Sequence, residues 1–445
     1  MKLSIFAVVS SALAPAFAAA PQVSNVTMTQ DFSARTEITY ELTGAPAIVT
    51  VDIQTNANAS GEASWVSIGA ENLVGISGDL HRKIDVTGEG EHRTIIWHPE
   101  TDWPGKRITT GTRAVVKAWP TNSPPDWMVV DLRTPFTVSW YPDAALIPHG
   151  GVTNKIYKSE YLVMRRIPAK GVVWTMGTRA EDFHPDSTDS HKKNESLLKV
   201  CLSDDYYIGI YELTRDQYDR VANATGAIAD NVEGRRPKTG ITLSTMRGST
   251  LGRAWPVITD GEFDFEESSK VDNNCWLDKF RKRYASCGIR IDFPTSAQWE
   301  YACRAGVGKS LYSGEAYTAA NAVKLARYND DKDEKDCEGM EYTGTWRQCS
   351  VGSYAPNNWG LYDMLGNVCE QCLDRFEDRT SLDNTKVYVD YIGATNIVDN
   401  PLRIHAGGYF DTFLRDLRPG WRGNSYNDTS ERYGRQGFRL VWTLR

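Results

Sequence analysis

Cysteine is missing on both sides of a central block: none precedes Cys201 and none follows Cys372 in this 445-residue chain. The N-terminal part must therefore hold its core without disulfides, and no cysteine stands near the N-terminus to carry a lipid anchor. Long apolar runs are missing too. No stretch approaches the ~18 residues that a membrane-crossing helix needs, so the protein is not expected to span a membrane. Positive charge is in slight deficit, with 50 Lys and Arg against 57 Asp and Glu and a formal net charge of -7, which argues against a nucleic-acid partner. Histidine is scarce. His81, His92 and His98 are too scattered to propose a metal site and read as surface or packing residues. Internal repeats and low-complexity tracts are absent, leaving ordinary globular domains as the expectation.

At the N-terminus Lys2 precedes an apolar run from Leu3 to Leu13, and Ala16-Phe17-Ala18 supplies a small-x-small cleavage site. Residues 1–20 read as a secretory signal peptide, which predicts a protein secreted or held in the periplasm or cell envelope. The remaining length suits two or three cores at ~150 residues each. Residues 22–145 read as all-β. Ile38, Tyr40 and Leu42 alternate with Glu37, Thr39 and Glu41, and Val49, Val51 and Ile53 alternate with Thr50, Asp52 and Gln54, the pattern of half-buried antiparallel strands. Further strands are expected at Trp65 to Ile68, Thr94 to Trp97, Arg113 to Trp119 and Met128 to Leu132. Short strands punctuated by Gly, Asn, Asp and Pro predict a β-sandwich of immunoglobulin or fibronectin type. A linker around Ala144 to Lys155, with Pro148 and Gly150-Gly151, leads to a second domain over 155–445.

That second domain is organised around Asn357 to Cys372. Trp359, Leu361, Met364, Leu365 and Val368 alternate with Gly360, Asp363, Gly366, Asn367 and Glu370, which predicts a turn with a ligand-bearing corner. Gly366-Asn367 suits positive φ, so the turn can aim carbonyls and the carboxylates of Asp363 and Glu370 at one point. Converging hard oxygens suit Ca²⁺; a tight turn with solvated carboxylates is the plainer alternative. Upstream, His184 and His191 bracket a polar segment where, with Asp186 or Asp189, a two-His-one-carboxylate iron site is conceivable, against the plainer surface loop. Tyr206 to Tyr211 reads as a strand. Thr214 caps a helix from Arg215 toward Ala222, with Tyr218 and Val221 on its buried side, and Thr295 with Gln298 forms a capping box for a helix from Ala297 to Arg304. Two helices beside short strands and long loops indicate an α+β domain.

The eight cysteines are even in number and lie in a domain expected to be exported, so disulfides are the default, with Cys275–Cys287 and Cys337–Cys349 able to close local loops. A redox or metal role for Cys369-Glu-Gln-Cys372 is the sharper alternative.

The run Gly360-Leu361-Tyr362-Asp363-Met364-Leu365-Gly366-Asn367-Val368 followed by Glu370 resembles the signature of the formylglycine-generating enzyme, or sulfatase-modifying factor, family. Further resemblances follow the family's order: Trp174-Thr175-Met176-Gly177, Tyr211-Glu212-Leu213-Thr214, Pro294 through Ala302, Gly407-Gly408 and Gly437-Phe438-Arg439-Leu440. The resemblance spans about 155 to 445. It implies a C-type-lectin-like fold low in regular secondary structure, a bridge between Cys303 and Cys372, and a structural calcium held by Asp363, the carbonyls of Gly366 and Val368, and Glu370. A second calcium site would begin at Asn329 and Asp330, but its later ligands fall near Thr343, where the expected acid is absent.

Family enzymes use Cu(I) held by two cysteines after the Gly-Gly pair to oxidise a substrate cysteine. Here Thr412 and Leu417 stand at those positions, and a hydroxyl with an aliphatic side chain cannot replace two thiolates, so copper is not expected. The family's paired tryptophans are also replaced, by Cys369 and Gln371. What remains between Gly408 and Gly437 is rich in Arg, aromatic and Asn/Asp residues, a composition suited to recognition. Arg415, Arg418, Trp421, Arg422, Tyr426, Asn427 and Asp428 are the candidate ligand-binding residues, although Trp421, Arg422 and Arg439 also fit an internal aromatic-Arg stack. Three functions stay open: a calcium-stabilised module binding protein, peptide or glycan; a family enzyme, either the sulfatase-maturing oxidase itself or one using another cofactor; and a retroelement-diversified lectin-like receptor.

Overall fold

A computed structural model describes residues 20–44, 46–58, 61–85, 91–106, 108–109, 111–223, 231–329, 348–395, 402–425 and 434–445. The chain divides into two compact units, Met1–Ile68 with Gly75–Pro124, and Gly69–Val74 with Pro125–Arg445.

The first unit is built from antiparallel strands. Gln22–Gln30, Thr36–Thr43, Glu91–Trp97 and Ser77–Gly78 form one sheet in that order; Ala47–Asn56 lies between Trp65–Ser67 and Arg82–Ile84 in another and also pairs with Thr112–Pro120. The alternation expected for Thr36–Thr43 is realised: Ile38, Tyr40 and Leu42 are fully buried while Glu37, Thr39 and Glu41 are half-buried. Ala47–Asn56 departs from it, because Ile48 and Thr50 are buried along with Val49 and Val51. Trp119 donates its indole N–H to the Thr50 hydroxyl at 2.9 Å, which gives that buried polar group a partner.

The strand expected over Met128 to Leu132 forms as Trp127–Asp131, but it belongs to the second unit. It lies between Val138–Tyr141 and Tyr161–Ile167 in a five-stranded sheet that continues through Tyr206–Gly209 to Val441–Thr443. The division between the two units falls at Pro124/Pro125, ahead of the linker expected around Ala144 to Lys155, which follows two strands paired into the C-terminal sheet. Met128, Val130 and Met164 are buried to completion, so this pairing is a hydrophobic contact as well as a hydrogen-bonded one.

The rest of the second unit is sheet-rich in small pieces, with few helices. Gly423–Ser425, Arg403–Ala406, Cys369–Arg375 and Gln436–Gly437 make a four-stranded sheet, and Val173–Met176, Leu198–Cys201 and Val387–Val389 a three-stranded one. The two expected helices form as Arg215–Asn223 and Ser296–Arg304. On the first, Val221 is buried as expected, but Tyr218 is half-buried and stacks on Trp276 at 5.8 Å, while Asp216 and Gln217 face inward. Among the described residues no helix is long and apolar enough to cross a membrane.

The disulfide expectations are mostly corrected. Cys275 and Cys287 are free thiols, as are Cys201 and the fully buried Cys303 and Cys372, so neither the 275–287 loop closure nor the 303–372 bridge is made. Cys303 instead directs its thiol to the Met364 carbonyl at 3.6 Å. Cys349 is disulfide-bonded; Cys337, expected to pair with it, lies outside the described residues.

Candidate ligand-binding site

The corner at Asp363 to Glu370 turns through three positive φ values close together: Asp363 at 53°, Gly366 at 76° and Asn367 at 57°. Glycine is required at 366, since a Cβ there would stand 2.1 Å from the Arg327 carbonyl oxygen. Asn367 fixes the turn in both directions. Its Oδ1 accepts from the Cys349 N–H at 2.8 Å, and its Nδ2 donates to Glu212 at 2.6 Å. Glu212 accepts from the Val368 N–H as well, at 3.2 Å.

Three carboxylates therefore meet inside the protein: Glu212, Asp363 and Glu370, all at most 2% exposed. The sequence reading assigned Glu212 no role, and the one clue was an acid placed between Tyr211 and Leu213 in an otherwise apolar strand end. Glu370 does not project into open space. Arg439 grips it through Nε at 2.8 Å and Nη2 at 2.6 Å, and the Trp299 indole N–H adds a third donor at 2.6 Å. Burial by itself would lower the basicity of the Arg439 guanidinium; the charge of Glu370 and the hydrogen bonds to it reverse that and hold Arg439 above its ordinary range. Burial pushes Glu212 well above the usual carboxylate range, reinforced by Asp363 and Glu370, and lifts Asp363 to about 6.

The oxygen-rich corner at Asp363 to Glu370 is a buried hub of ion pairs and hydrogen bonds. Among the described residues no three His, Cys, Asp or Glu side chains gather into a metal site of their own. A calcium ion would have to use Asp363 and the carbonyls of Gly366 and Val368, and share Glu370 with Arg439. Burial holds Glu212 and Asp363 above the usual carboxylate range, and a cation of that kind would draw them back down, as Arg439 and the buried Lys158 already do in part for Asp363. Asn329 of the second expected site donates its backbone N–H to the Thr412 carbonyl at 2.9 Å, and its buried Oδ1 has no partner among the described residues; Asp330 lies outside them.

Thr412 and Leu417 do come together. A Cβ on Gly408 would meet the Thr412 methyl at 3.0 Å and a Leu417 methyl at 3.5 Å, and both side chains are buried. The candidate recognition residues separate into two groups. Arg415 is half-buried with its guanidinium 4.8 Å from the ring of Phe413, itself 55% exposed, and Trp421 is half-buried too. Arg418 and Arg422, expected on the binding surface, are interior residues. Arg418 is fully buried and gives its Nε to Glu195 at 2.7 Å. Arg422 donates to the Asn194 carbonyl at 3.0 Å and sits over Phe376, where burial beside Arg379 lowers its pKa to about 10. Tyr426, Asn427 and Asp428 lie outside the described residues.

The two histidines do not converge. His191 caps the helix Asp189–Asn194 with Thr188 and faces Asp416 at 3.3 Å, while His184 pairs with Asp186 at 3.6 Å and meets Tyr317 edge-on. The conceived iron site is absent from that segment.

Short strands, few helices and long connections converging on a buried acid–Arg hub define an α+β domain. The chain belongs to the family of the sulfatase-modifying factor enzyme 1-like domain, which matches residues 164–444. It is 24% identical over 249 residues to the formylglycine-generating enzyme of Mus musculus, covering 50% of this chain and 61% of that protein. It is 28% identical over 217 residues to the chaperone protein LppX of Paenibacillus barcinonensis, covering 44% of this chain and 70% of that one. The chain thus spans about three fifths of the mouse enzyme's length. Among solved structures it is similar to Treponema denticola variable protein 1, at 21% identity over 63% of this chain and 95% of that one with a TM-score of 0.41, too distant to carry a functional conclusion.

Proposed function

We propose that this protein is an exported, non-catalytic member of its family: a calcium-stabilised module that binds a protein, peptide or glycan ligand. The observation that carries this reading is the pair at Gly408, where Thr412 and Leu417 pack a methyl group each against the glycine and offer no sulfur to Cu(I). The exposed Phe413 and the half-buried Arg415 then supply an aromatic-cation pair on the same loop, the composition of a binding anchor. Similarity to a protein named a chaperone favours a polypeptide ligand. The N-terminal unit, read as an immunoglobulin- or fibronectin-type sandwich from its antiparallel sheets, serves as carrier for this module.

Incubating the purified protein with copper, O₂ and a Cys-x-Pro-x-Arg peptide tests the loss of oxidase chemistry. The peptide mass is expected to stay unchanged, and appearance of formylglycine would establish the alternative, an active sulfatase-maturing oxidase. Calcium would be held by Asp363, the Gly366 and Val368 carbonyls and Glu370, and would supply the positive charge that the Glu212–Asp363–Glu370 cluster lacks. Thermal melting with and without a chelator is expected to show a lower midpoint without calcium in wild type and no response in Asp363→Ala. A midpoint indifferent to chelator in both proteins removes calcium from the proposal.

A further inference from the structure

The second unit contains a cavity of about 240 Å³ that shares no residue with the Gly408–Arg422 loop or the acid–Arg hub. Its walls are aromatic: Trp255, Phe263, Phe265, Phe293 and Trp442 contribute rings, with Trp255 meeting Phe263 edge-on at 5.1 Å. An apolar cavity of ~150 Å³ holds benzene, so this one admits a substituted ring.

The charged groups around it are already committed to one another. Arg290 pairs with Glu266 at 3.1 Å, Arg281 with Asp292 at 3.0 Å, and Arg445 with Asp204 at 3.2 Å and Asp390 at 3.1 Å. Thr295 and Gln298 are engaged in capping their own helix. A sugar would bring several hydroxyls to walls that have few free partners, leaving them unsatisfied. One buried wall group is different: Trp255 is 3% exposed, and its indole N–H has no acceptor among the described residues. Buried N–H groups without a partner are uncommon enough to ask what satisfies them.

We propose that this cavity is a binding site for a neutral aromatic ring carrying one hydrogen-bond acceptor, such as an aryl carbonyl, with the acceptor taken by Trp255 Nε1 and the ring packed among Phe263, Phe265 and Trp442. The cavity opens to solvent past Glu266, whose side chain is 76% exposed, so a substituent on the ring can leave toward the Arg290–Glu266 pair. The site stands whether or not the chain oxidises cysteine, because none of its walls belongs to the loop where that chemistry would occur.

Acetophenone, ethylbenzene and N-acetylglucosamine are the probes, titrated into the full chain by calorimetry and ligand-observed saturation-transfer NMR. Acetophenone is expected to bind with a dissociation constant on the order of 0.1–1 mM. Ethylbenzene has nearly the same shape and lacks the acceptor, so it should bind about tenfold more weakly. Trp255→Phe keeps a wall ring and removes the donor, so it should erase that difference, and Trp442→Ala should weaken both rings. Equal affinities in wild type, a difference that survives Trp255→Phe, tighter binding of N-acetylglucosamine, or no binding of either ring overturns the assignment. The wild-type comparison decides the question even if a variant fails to fold.

Discussion

Arginines 418 and 439 do the same work at two places in the second unit: each enters the core to neutralise one buried carboxylate, Glu195 and Glu370 respectively. Nothing in the local sequence separates them from a half-buried arginine such as Arg415. The partner of Arg418 lies 223 residues away, and only the folded chain brings Glu195, held also by the Thr178 hydroxyl at 2.6 Å, beneath it. That is why a segment rich in Arg and aromatic residues reads as a recognition surface although Arg418 and Arg422 within it are structural. Breaking one partner of such a pair costs more than removing both, because a lone charge remains in a low-dielectric interior. Arg418→Ala is expected to destabilise the protein by about 3–5 kcal/mol in denaturant unfolding, and the double substitution Arg418→Met with Glu195→Gln by clearly less. Equal losses in the two variants would mean that the ion pair is not what holds the loop.

Helix starts were the most legible elements, because a cap is a local device. Thr295 accepts from the Gln298 N–H at 3.2 Å and Gln298 accepts from the Thr295 N–H at 3.0 Å, the reciprocal bonds that the two residue types at that spacing imply. Thr214 and Gln217 repeat the arrangement at 3.2 and 3.0 Å. Strands were legible by alternation only where one face is wet, as in Thr36–Thr43. Ala47–Asn56 is covered on both faces over its first half and loses the pattern. The cap at 295 matters beyond its own helix, since that helix carries Trp299, a donor to Glu370, and Glu300, which accepts from the Gly177 N–H at 2.8 Å. Thr295→Ala is expected to cost about 1 kcal/mol in urea unfolding with the m-value unchanged. A loss below a few tenths would show that tertiary contacts alone set the helix start.

At the scale of the whole chain, the turn-rich stretch at 144 to 155 looks like a boundary by composition, and the contacts place the boundary earlier. Trp127–Asp131 pairs along Tyr161–Ile167 from Asp131 opposite Tyr161 to Trp127 opposite Arg165, and Val138–Tyr141 extends the sheet by one more strand. Side chains tie the same segment down: Tyr284 donates to the Asp131 carbonyl at 2.5 Å, and the Tyr207 hydroxyl donates to that of Pro125. Composition reports flexibility of the backbone, whereas a domain boundary is set by which strands share a sheet, and that pairing is long-range. A fragment starting at Pro125 keeps the five-stranded sheet, while one starting at Lys155 leaves the hydrogen-bonding edge of Tyr161–Ile167 open and uncovers Val163 and Met164. The 125–445 fragment is therefore expected to be soluble and to melt cooperatively, and the 155–445 fragment to aggregate or to be cleaved rapidly by protease. Equal protease resistance of the two would show that the strands before 145 are dispensable, and would return the boundary to where composition places it.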